Sequence, residues 1–386
     1  MTTHVFIVDT NTFKYHLEYL FAGTGAKDHS IDFNNNPNTS LKPATENNLV
    51  GMIADSQRIR EGDFVVFYLQ QNYSEKIWEG KFYGIFKAKE NLSFLDNNDA
   101  RQFLNQELIK SLTFRTLLEP FQVYAKGISE WEALDEIKNI QSPNQMLWSL
   151  IYRKLKGNRG NTMITIYESE RLFKLFRDKN NRQSLTSDQL TFDVQTQEIK
   201  NTNAVNIYTG RKESINILPR LIKKYSDNRA FETHLQAYII QNIGRRTNHS
   251  LDLNLLNGLS FEWLGNEVSC GVGMQRIDVM LSLNDNENKR IITMPIELKA
   301  TEASQDNVIQ IQRYVDWLEQ YYIPNRISDI QPVLVSKKIS NKASVNYSGI
   351  LESFNQFNKK NNRCMPIKYV EYELVENDLK FQEISY

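Results

Sequence analysis

A pair of charged residues interrupts an apolar strand late in this sequence of 386 residues. The run RIITMPIELKA (290–300) is rich in β-branched residues, which predicts a strand, yet it contains Glu297 and Lys299. Side chains alternate across a strand, so these two charges must point to the same side. A buried charge is costly unless it is paired or binds a metal. The pair therefore predicts either a catalytic strand or an edge strand whose polar face meets solvent.

The composition excludes several classes of protein. The 46 basic residues balance the 46 acidic ones, so any surface for nucleic acid must be local. Cys270 and Cys364 are too few for a disulfide framework, and the five histidines show no zinc spacing. The N-terminal apolar run is too short for a signal peptide, and no apolar run approaches the roughly 20 residues of a membrane span. We therefore expect a cytoplasmic protein that has no membrane partner.

The length predicts two domains. In the first half, GDFVVFYLQ (62–70) and WEGKFYGIFKAKE (78–90) are rich in aromatic and β-branched residues and predict strands. We expect a small mixed barrel or sheet with helices over residues 1–178. A polar stretch follows, which predicts a linker over residues 179–220.

The second half, residues 221–386, predicts a different arrangement. An amphipathic helix over 228–244 is closed by a glycine. Three strands, a helix and a further strand are expected after it, over 261–270, 276–283, 290–300, 305–322 and 331–337. The predicted order is therefore α-β-β-β-α-β.

Asp278 lies in the apolar strand RIDVML, one hairpin before Glu297. If the two strands are adjacent, both carboxylates converge on one point, and two carboxylates suit a hard cation such as Mg²⁺. Lys299 beside that cation could orient or deprotonate an attacking water, while the metal stabilises charge on a phosphate. These parts together predict hydrolysis of a phosphodiester.

With these residues the second half resembles the PD-(D/E)xK nuclease superfamily, with Asp278 as the motif's acid and Glu297-Leu298-Lys299 as its tripeptide. The NucS-like DNA endonucleases are the most similar branch. The matching residues are Glu232, the segment GMQRID that ends in Asp278, Glu297 with Lys299, and Gln310, Arg313 and Tyr314 of QIQRY.

The resemblance implies an α/β restriction-endonuclease-like domain with Asp278, Glu297, Lys299, Gln310 and Glu232 as its catalytic residues. Asp278 and Glu297 would hold Mg²⁺, with Mn²⁺ as a substitute, and Glu232 would contact it through water. Lys299 and Gln310 would position the attacking water, and the products would carry a 5′-phosphate and a 3′-hydroxyl. Arg313 and Tyr314 would brace the site or touch the DNA backbone.

The same residues also have plainer interpretations. Asp278 could cap a turn at a strand end, and Glu297 with Lys299 could form a solvent-facing pair. Glu232 could be an exposed helix glutamate. Tyr314 could serve packing, since it lies three residues before Trp317 on one helix face.

The aromatic strands of the first half resemble PUA-like domains, especially the EVE and YTH-type branch. That resemblance implies an α+β barrel that binds nucleic acid, in several members through a flipped modified base in an aromatic cage. Trp78, Tyr83 and Trp131 are the candidates here for such a base pocket, and a role in the barrel core is the alternative for each.

A local basic stretch covers residues 151–182, with nine basic and three acidic side chains, a net charge of +6. We expect contacts between DNA phosphates and Arg153, Lys154, Lys156 and Arg159. The alternative is a solvated helix face.

The sequence therefore predicts a Mg²⁺-dependent DNA endonuclease of the restriction type, which recognises a modified base through its first domain. A homodimer is expected if both strands are cut. The alternatives are a NucS-like repair enzyme for mismatched or branched DNA, and a nucleic-acid-binding protein that no longer cuts. RNA is an alternative substrate.

Overall fold

The chain folds into two compact units, as seen in a computed structural model. The structure describes residues 1–27, 29–90, 92–145, 160–229, 231–270 and 275–386. The first unit comprises Met1–Asp32 and Asp55–Ile215, and the second comprises Phe33–Ala54 and Asn216–Tyr386. Two domains were expected, but the second unit also takes a segment from the N-terminal part of the chain.

The first unit is built on a mixed sheet. Its main strands follow the order β2-β6-β4-β3-β1-β8, with β5 paired to β6 and β7 to β4. Only the pairing of β1 with β3 is parallel among those described in this sheet. The strands of this unit are β1 Thr3–Val8, β2 Phe21–Thr24, β3 Phe64–Leu69, β4 Lys81–Ala88, β5 Phe94–Leu95, β6 Phe114–Pro120, β7 Ile128–Ser129, β8 Asn161–Ile164, β9 Leu190–Asp193 and β10 Glu198–Asn201. The helices in this part of the chain are α1 Thr10–Glu18, α2 Pro43–Gln57, α3 Asn105–Leu108, α4 Glu130–Asp135 and α5 Ile166–Lys179.

Strand β3 shows why the sequence FVVFYL is apolar without interruption. Val65 and Phe67 point into one hydrophobic cluster, while Val66 and Tyr68 point into a second cluster on the opposite face. A strand that is buried on both faces loses the usual alternation of apolar and polar residues. The predicted strands over 62–70 and 78–90 are confirmed as β3 and β4.

The second unit has a sheet in the order β11-β12-β13-β15-β16-β17, with β14 paired to β13. Strands β11 to β13 are antiparallel, β13, β15 and β16 are parallel, and β17 is antiparallel to β16. Its elements are α6 Leu218–Ser226, α7 Glu232–Asn242, α8 His249–Leu255, β11 Ser260–Ser269, β12 Arg276–Asp285, β13 Arg290–Glu302, α9 Asp306–Trp317, β14 Asp329–Ile330, β15 Val333–Lys337, α10 Val345–Lys360, β16 Lys368–Val375 and β17 Asp378–Glu383. The predicted order α-β-β-β-α-β is present as α7, β11, β12, β13, α9 and β15.

Helices cover both faces of this second sheet. Tyr314 of α9 contacts Glu297 of β13, and Phe354 of α10 packs 5.3 Å from Tyr369 of β16, measured between ring centroids. On the other face, Tyr238 of α7 packs 6.5 Å from Phe381 of β17. Strand β13, which carries Glu297, pairs with β12 on one side and β15 on the other. It is therefore a central strand of the sheet, not an edge strand.

None of the helices that the structure describes is long and apolar enough to cross a membrane. The longest of them, α10, has 16 residues, whereas a membrane span needs about 20.

The linker expected over 179–220 is not observed, because most of this stretch belongs to the first unit. Strands β9 and β10 pair as an antiparallel hairpin. Leu190, Phe192 and Ile199 are buried in one of the two clusters of the first unit, and the ring of Phe192 lies 4.7 Å from that of Phe13. Their polar neighbours alternate with them along the strands, so the composition of the stretch concealed a half-buried hairpin.

The residues after this hairpin are also bound to the first unit. Arg115 and Asp96 form an ion pair of 3.1 Å whose side chains are both fully buried. Arg211 places its Nε 3.0 Å from the same carboxylate. Two cations therefore share one buried carboxylate, which ties the segment around Arg211 to strands β5 and β6.

Replacing Phe192 with alanine tests whether the hairpin is part of the core. The substitution should reduce the free energy of unfolding by about 3–5 kcal/mol, because it leaves a cavity beside Phe13. Urea unfolding would measure this loss. Val194→Ala, at an exposed position of the same hairpin, is the control and should stay within about 0.5 kcal/mol of wild type. Similar small effects of both substitutions would show that the stretch is a linker after all.

Candidate active site

The pairing of β12 with β13 brings two carboxylates together. Val279 pairs with Ile296, so Asp278 and Glu297 are the next residues on the two strands, and the charge of Glu297 acts on the carboxyl group of Asp278. The N–H of Leu298 donates to Oδ2 of Asp278 over 2.9 Å, which fixes the orientation of that carboxylate. Residues directly opposite in an antiparallel pair have their side chains on the same face. The convergence predicted from the sequence is therefore observed.

Lys299 balances this pair of carboxylates. Its Nζ lies 2.5 Å from Oε1 of Glu297. The ammonium group is thus the partner of this buried oxygen, and it lowers the pKa of Glu297 against the effect of burial. Glu297 is fully buried. The alternative of a solvent-facing pair is therefore wrong.

Helix α9 supports the other oxygen of Glu297. The hydroxyl of Tyr314 lies 2.6 Å from Oε2 of Glu297 and 2.8 Å from the carbonyl oxygen of Arg276. Gln310, one helical turn earlier, donates to the same hydroxyl over 2.8 Å. Gln310 therefore reaches the site through Tyr314.

Tyr314 cannot contact the DNA backbone as expected, because it is 1% exposed. The sequence suggested that it either braces the site or touches DNA, and only the bracing contact is present. Arg313, the preceding residue on the helix, is exposed, so its predicted contact with DNA stays a prediction.

Helix α7 brings two polar residues to the same place. Oε2 of Glu232 lies 3.5 Å from Nζ of Lys299. Gln236 donates to the backbone oxygen of Asp278 over 2.8 Å. Gln236 was not among the residues predicted from the sequence, although its spacing of four residues from Glu232 puts both on one helix face.

The electrostatics of the site favour an additional positive charge. Burial raises the pKa of the Asp278 carboxyl well above its usual value, and the charge on Glu297 raises it further. Burial also raises the pKa of Glu297, against the opposing effects of Lys299 and Tyr314. For Lys299, burial alone would lower the pKa, but the neighbouring carboxylates outweigh it and raise the pKa. Acids with pKa values raised by burial and mutual repulsion are typical of functional sites.

A divalent cation fits this arrangement. Asp278 and Glu297 offer carboxylate oxygens beside one ammonium group, and burial raises the pKa of both acids. Within the described parts of the chain, no three His, Cys, Asp or Glu residues are grouped as a metal site. Mg²⁺ is usually held by one or two carboxylates together with waters and substrate phosphates, so two protein ligands suffice.

Two sets of predicted residues lie outside the described residues. They are the basic residues expected to bind DNA and the glycine of the GMQRID segment: Arg153, Lys154, Lys156, Arg159 and Gly273.

The three aromatic candidates of the first unit differ sharply in exposure. Tyr83 is fully buried, lies 5.3 Å from the ring of Phe13, and donates its hydroxyl to the backbone oxygen of Gln197. It belongs to the core and offers no face to a base, which corrects its assignment to a base pocket. Trp78 and Trp131 are 65% and 66% exposed, so the core role weighed for these two residues is wrong.

The two exposed tryptophans lie near the same end of β4. The N–H of Glu130, the residue before Trp131, donates to the backbone oxygen of Gly80 over 2.8 Å. Trp78 lies two residues before Gly80, and its ring centroid is 5.9 Å from that of Tyr73. This part of the first unit therefore presents aromatic rings to solvent.

Comparisons with known proteins show no family for this chain. No family model matches it, and no curated protein matches it. Among solved structures, the chain is similar to human THYN1 protein, determined in complex with DNA that contains 5-methylcytosine. The sequence identity is 8% and the TM-score 0.26, over 45% of this chain and 97% of that one. That score is too low to show a shared fold.

Replacing Asp278 with asparagine should stabilise the protein at neutral pH in EDTA, on the order of 1 kcal/mol. Asparagine keeps an oxygen for the N–H of Leu298 and removes a buried charge beside Glu297. A carboxyl whose pKa is raised by folding destabilises the folded state as pH rises above its unfolded pKa of about 3.9. The gain should therefore be largest near pH 7 and vanish below about pH 4. Thermal unfolding at several pH values measures it.

The control for this experiment is Asp285→Asn on the same strand. Hydrogen bonds from Asn288 and Arg290 lower the pKa of Asp285 to about 2. A lowered pKa stabilises the folded state at neutral pH, and this contribution is lost as pH falls through the folded pKa. Asp285→Asn should therefore destabilise the protein at pH 7. Changes of the same sign in both variants would contradict the interpretation of Asp278 as a repelled, buried charge.

Proposed function

We propose that this protein is a metal-dependent DNA endonuclease that hydrolyses phosphodiester bonds at the site of Asp278, Glu297 and Lys299. The observation that carries the proposal is the pair of buried, mutually repelling carboxylates beside an ammonium group. A purely structural ion pair would need one carboxylate, whereas a second one raises the energy of the site without a cation. Two repelling carboxyl groups at one buried place therefore support the binding of a cation there.

Asp278 and Glu297 would hold the metal, Mg²⁺ or Mn²⁺. When bound, the metal would stabilise charge on the phosphate and make a water more nucleophilic. Tyr314 keeps Oε2 of Glu297 in place, and Leu298 does the same for Oδ2 of Asp278. Both carboxylates are thereby oriented before any substrate arrives, and this reduces the reorganisation that the reaction requires.

The neighbouring carboxylates raise the pKa of Lys299, which supports a role for this residue as a cation. An ammonium with a raised pKa stays protonated at neutral pH, so it is a poor base for removing a proton from water. It is suited to orient the attacking water or to contact a phosphate oxygen. Of the two roles considered for Lys299, the orienting role is therefore favoured.

The order of elements in the second unit and the D…ExK residues support membership of the PD-(D/E)xK superfamily. For the first unit we propose a PUA-like module that selects DNA containing a modified base, with the exposed rings of Trp78 and Trp131 as stacking faces. A recognition module joined to a nuclease is typical of a restriction enzyme. Two active sites are needed to cut both strands, so we propose a homodimer for that activity.

Cleavage of plasmid DNA tests the nuclease. One unmodified plasmid and one with methylated or hydroxymethylated bases are incubated with Mg²⁺, with Mn²⁺ and with EDTA. Discrete fragments should form with either metal and not in EDTA.

Glu297→Ala should reduce the cleavage rate by more than about 100-fold, since it removes a metal ligand. Tyr314→Phe should reduce it by about 10- to 100-fold, as expected for a group that orients a ligand.

Tyr369→Phe is the control for Tyr314→Phe, because it removes a hydroxyl that is as deeply buried in the same unit but bonds Ser336 and Glu371. Its rate should stay near that of wild type. Absence of cleavage on both plasmids would rule out restriction-type cutting of these substrates, and mismatched or branched DNA and RNA would be tested next.

Binding measurements test the role of the first unit. Trp78→Ala and Trp131→Ala should each weaken binding to a duplex with a modified base by about 1–3 kcal/mol, the range for loss of one stacked base. Fluorescence anisotropy with labelled duplexes gives the dissociation constants. Phe121→Ala, at another exposed aromatic residue of the same unit, should have little effect. Equal losses for all three variants would argue against a stacking site at the tryptophans.

A further inference from the structure

The second unit contains a buried charged cluster that is separate from the acidic site. Glu46 lies in the segment Phe33–Ala54, which joins this unit from the N-terminal part of the chain. It is 2% exposed and contacts three basic side chains. These contacts are 2.7 Å to Nε of Arg220, 2.9 Å to Nζ of Lys224 and 2.9 Å to Nε2 of His234.

The cluster is held firmly by its own charges. Burial alone would raise the pKa of the Glu46 carboxyl, but hydrogen bonds from His234, Arg220 and Lys224 outweigh it and hold the pKa well below its usual value. Glu46 is therefore ionised and acts as a fixed anchor between helix α2, which carries it, and helices α6 and α7. Removing one partner of such a buried group leaves the others without compensation.

The first turn of α7 depends on this anchor. Phe231 stands at the N-cap of the helix, and its apolar side chain makes no capping hydrogen bond to the first turn. An uncapped first turn leaves backbone N–H groups unsatisfied and tends to fray. His234 belongs to that turn, and its bond to Glu46 ties the turn to the body of the unit. Glu232 lies on the same turn of α7, and Gln236 lies on the following turn of that helix.

We propose that Glu46 is a positioning residue for the acidic site, which acts through His234 to set where Glu232 and Gln236 lie. Glu232 approaches Lys299 from this turn, and Gln236 holds the backbone of Asp278. Displacement of the turn would move both contacts without any change to Asp278 or Glu297 themselves. The inference rests on the proposed function, because it gives Glu46 a part in metal binding and cleavage.

A double-mutant cycle tests the inference. Binding of Mn²⁺ is measured by calorimetry on the full chain for wild type, Glu46→Gln, Glu232→Gln and the double variant. Each single substitution should weaken Mn²⁺ binding by about tenfold, the range for residues that orient a metal site. Because Glu46 acts partly through Glu232, the loss of Mn²⁺ affinity in the double variant should be smaller than the product of the two single losses.

Cleavage rates provide the second readout. Glu46→Gln should lower kcat and leave KM for DNA unchanged, since Glu46 does not face the substrate. Asp378→Ala is the matched control, because it removes the hydrogen bonds to Tyr238 of α7 and to Asn248, which precedes α8. It should lower the melting temperature and leave both Mn²⁺ affinity and kcat unchanged. Glu46→Asp, which keeps the charge on a shorter side chain, replaces Glu46→Gln if that variant does not fold.

Losses that multiply in the double variant would overturn the inference, as would a Glu46→Gln variant with a lower melting temperature but wild-type Mn²⁺ affinity. If wild type binds Mn²⁺ but cuts no DNA or RNA, the proposed nuclease fails, while the binding cycle still decides the role of Glu46.

Discussion

The acidic site depends on the burial of two like charges beside one ammonium group. Asp278 and Glu297 repel each other across adjacent strands, and burial raises the pKa of both. Lys299 offsets part of that repulsion from the same strand as Glu297. Such an arrangement lowers stability, and a protein retains it only where the surrounding structure holds the groups in place. The contacts that surround Asp278 and Glu297 in the second unit provide this support.

The supports come from three directions. The sheet aligns Asp278 through the N–H of Leu298. Helix α9 fixes Glu297 through the hydroxyl of Tyr314, which is itself held by Gln310. Helix α7 closes the remaining side, and its first turn is tied to Glu46 instead of to an N-cap side chain. Both carboxyl groups are thus oriented by hydrogen bonds from a strand or a helix, an arrangement that would suit a preorganised site.

Local patterns in the sequence predicted part of the acidic site correctly, but they failed for parts of the first unit. The alternation of a strand was enough to put Glu297 and Lys299 on one side, and the short hairpin was enough to make β12 its neighbour. The same reasoning failed for residues 179–220, where a polar composition concealed Leu190, Phe192 and Ile199 in a core hairpin. It also failed for Tyr83, because an aromatic residue in a β-rich stretch suits a core or a surface equally well, and only neighbouring elements decide which.

The sequence by itself determined the strands of the acidic site and the shared face of Asp278, Glu297 and Lys299, because both follow from a period of two residues and a hairpin. Only the tertiary structure decided that these groups are buried, that Tyr314 bonds Glu297, and that Glu46 anchors α7 from 188 residues away. Burial and long-range contacts depend on which elements pack over a strand. That choice is made by the whole fold, and no local pattern of residues encodes it.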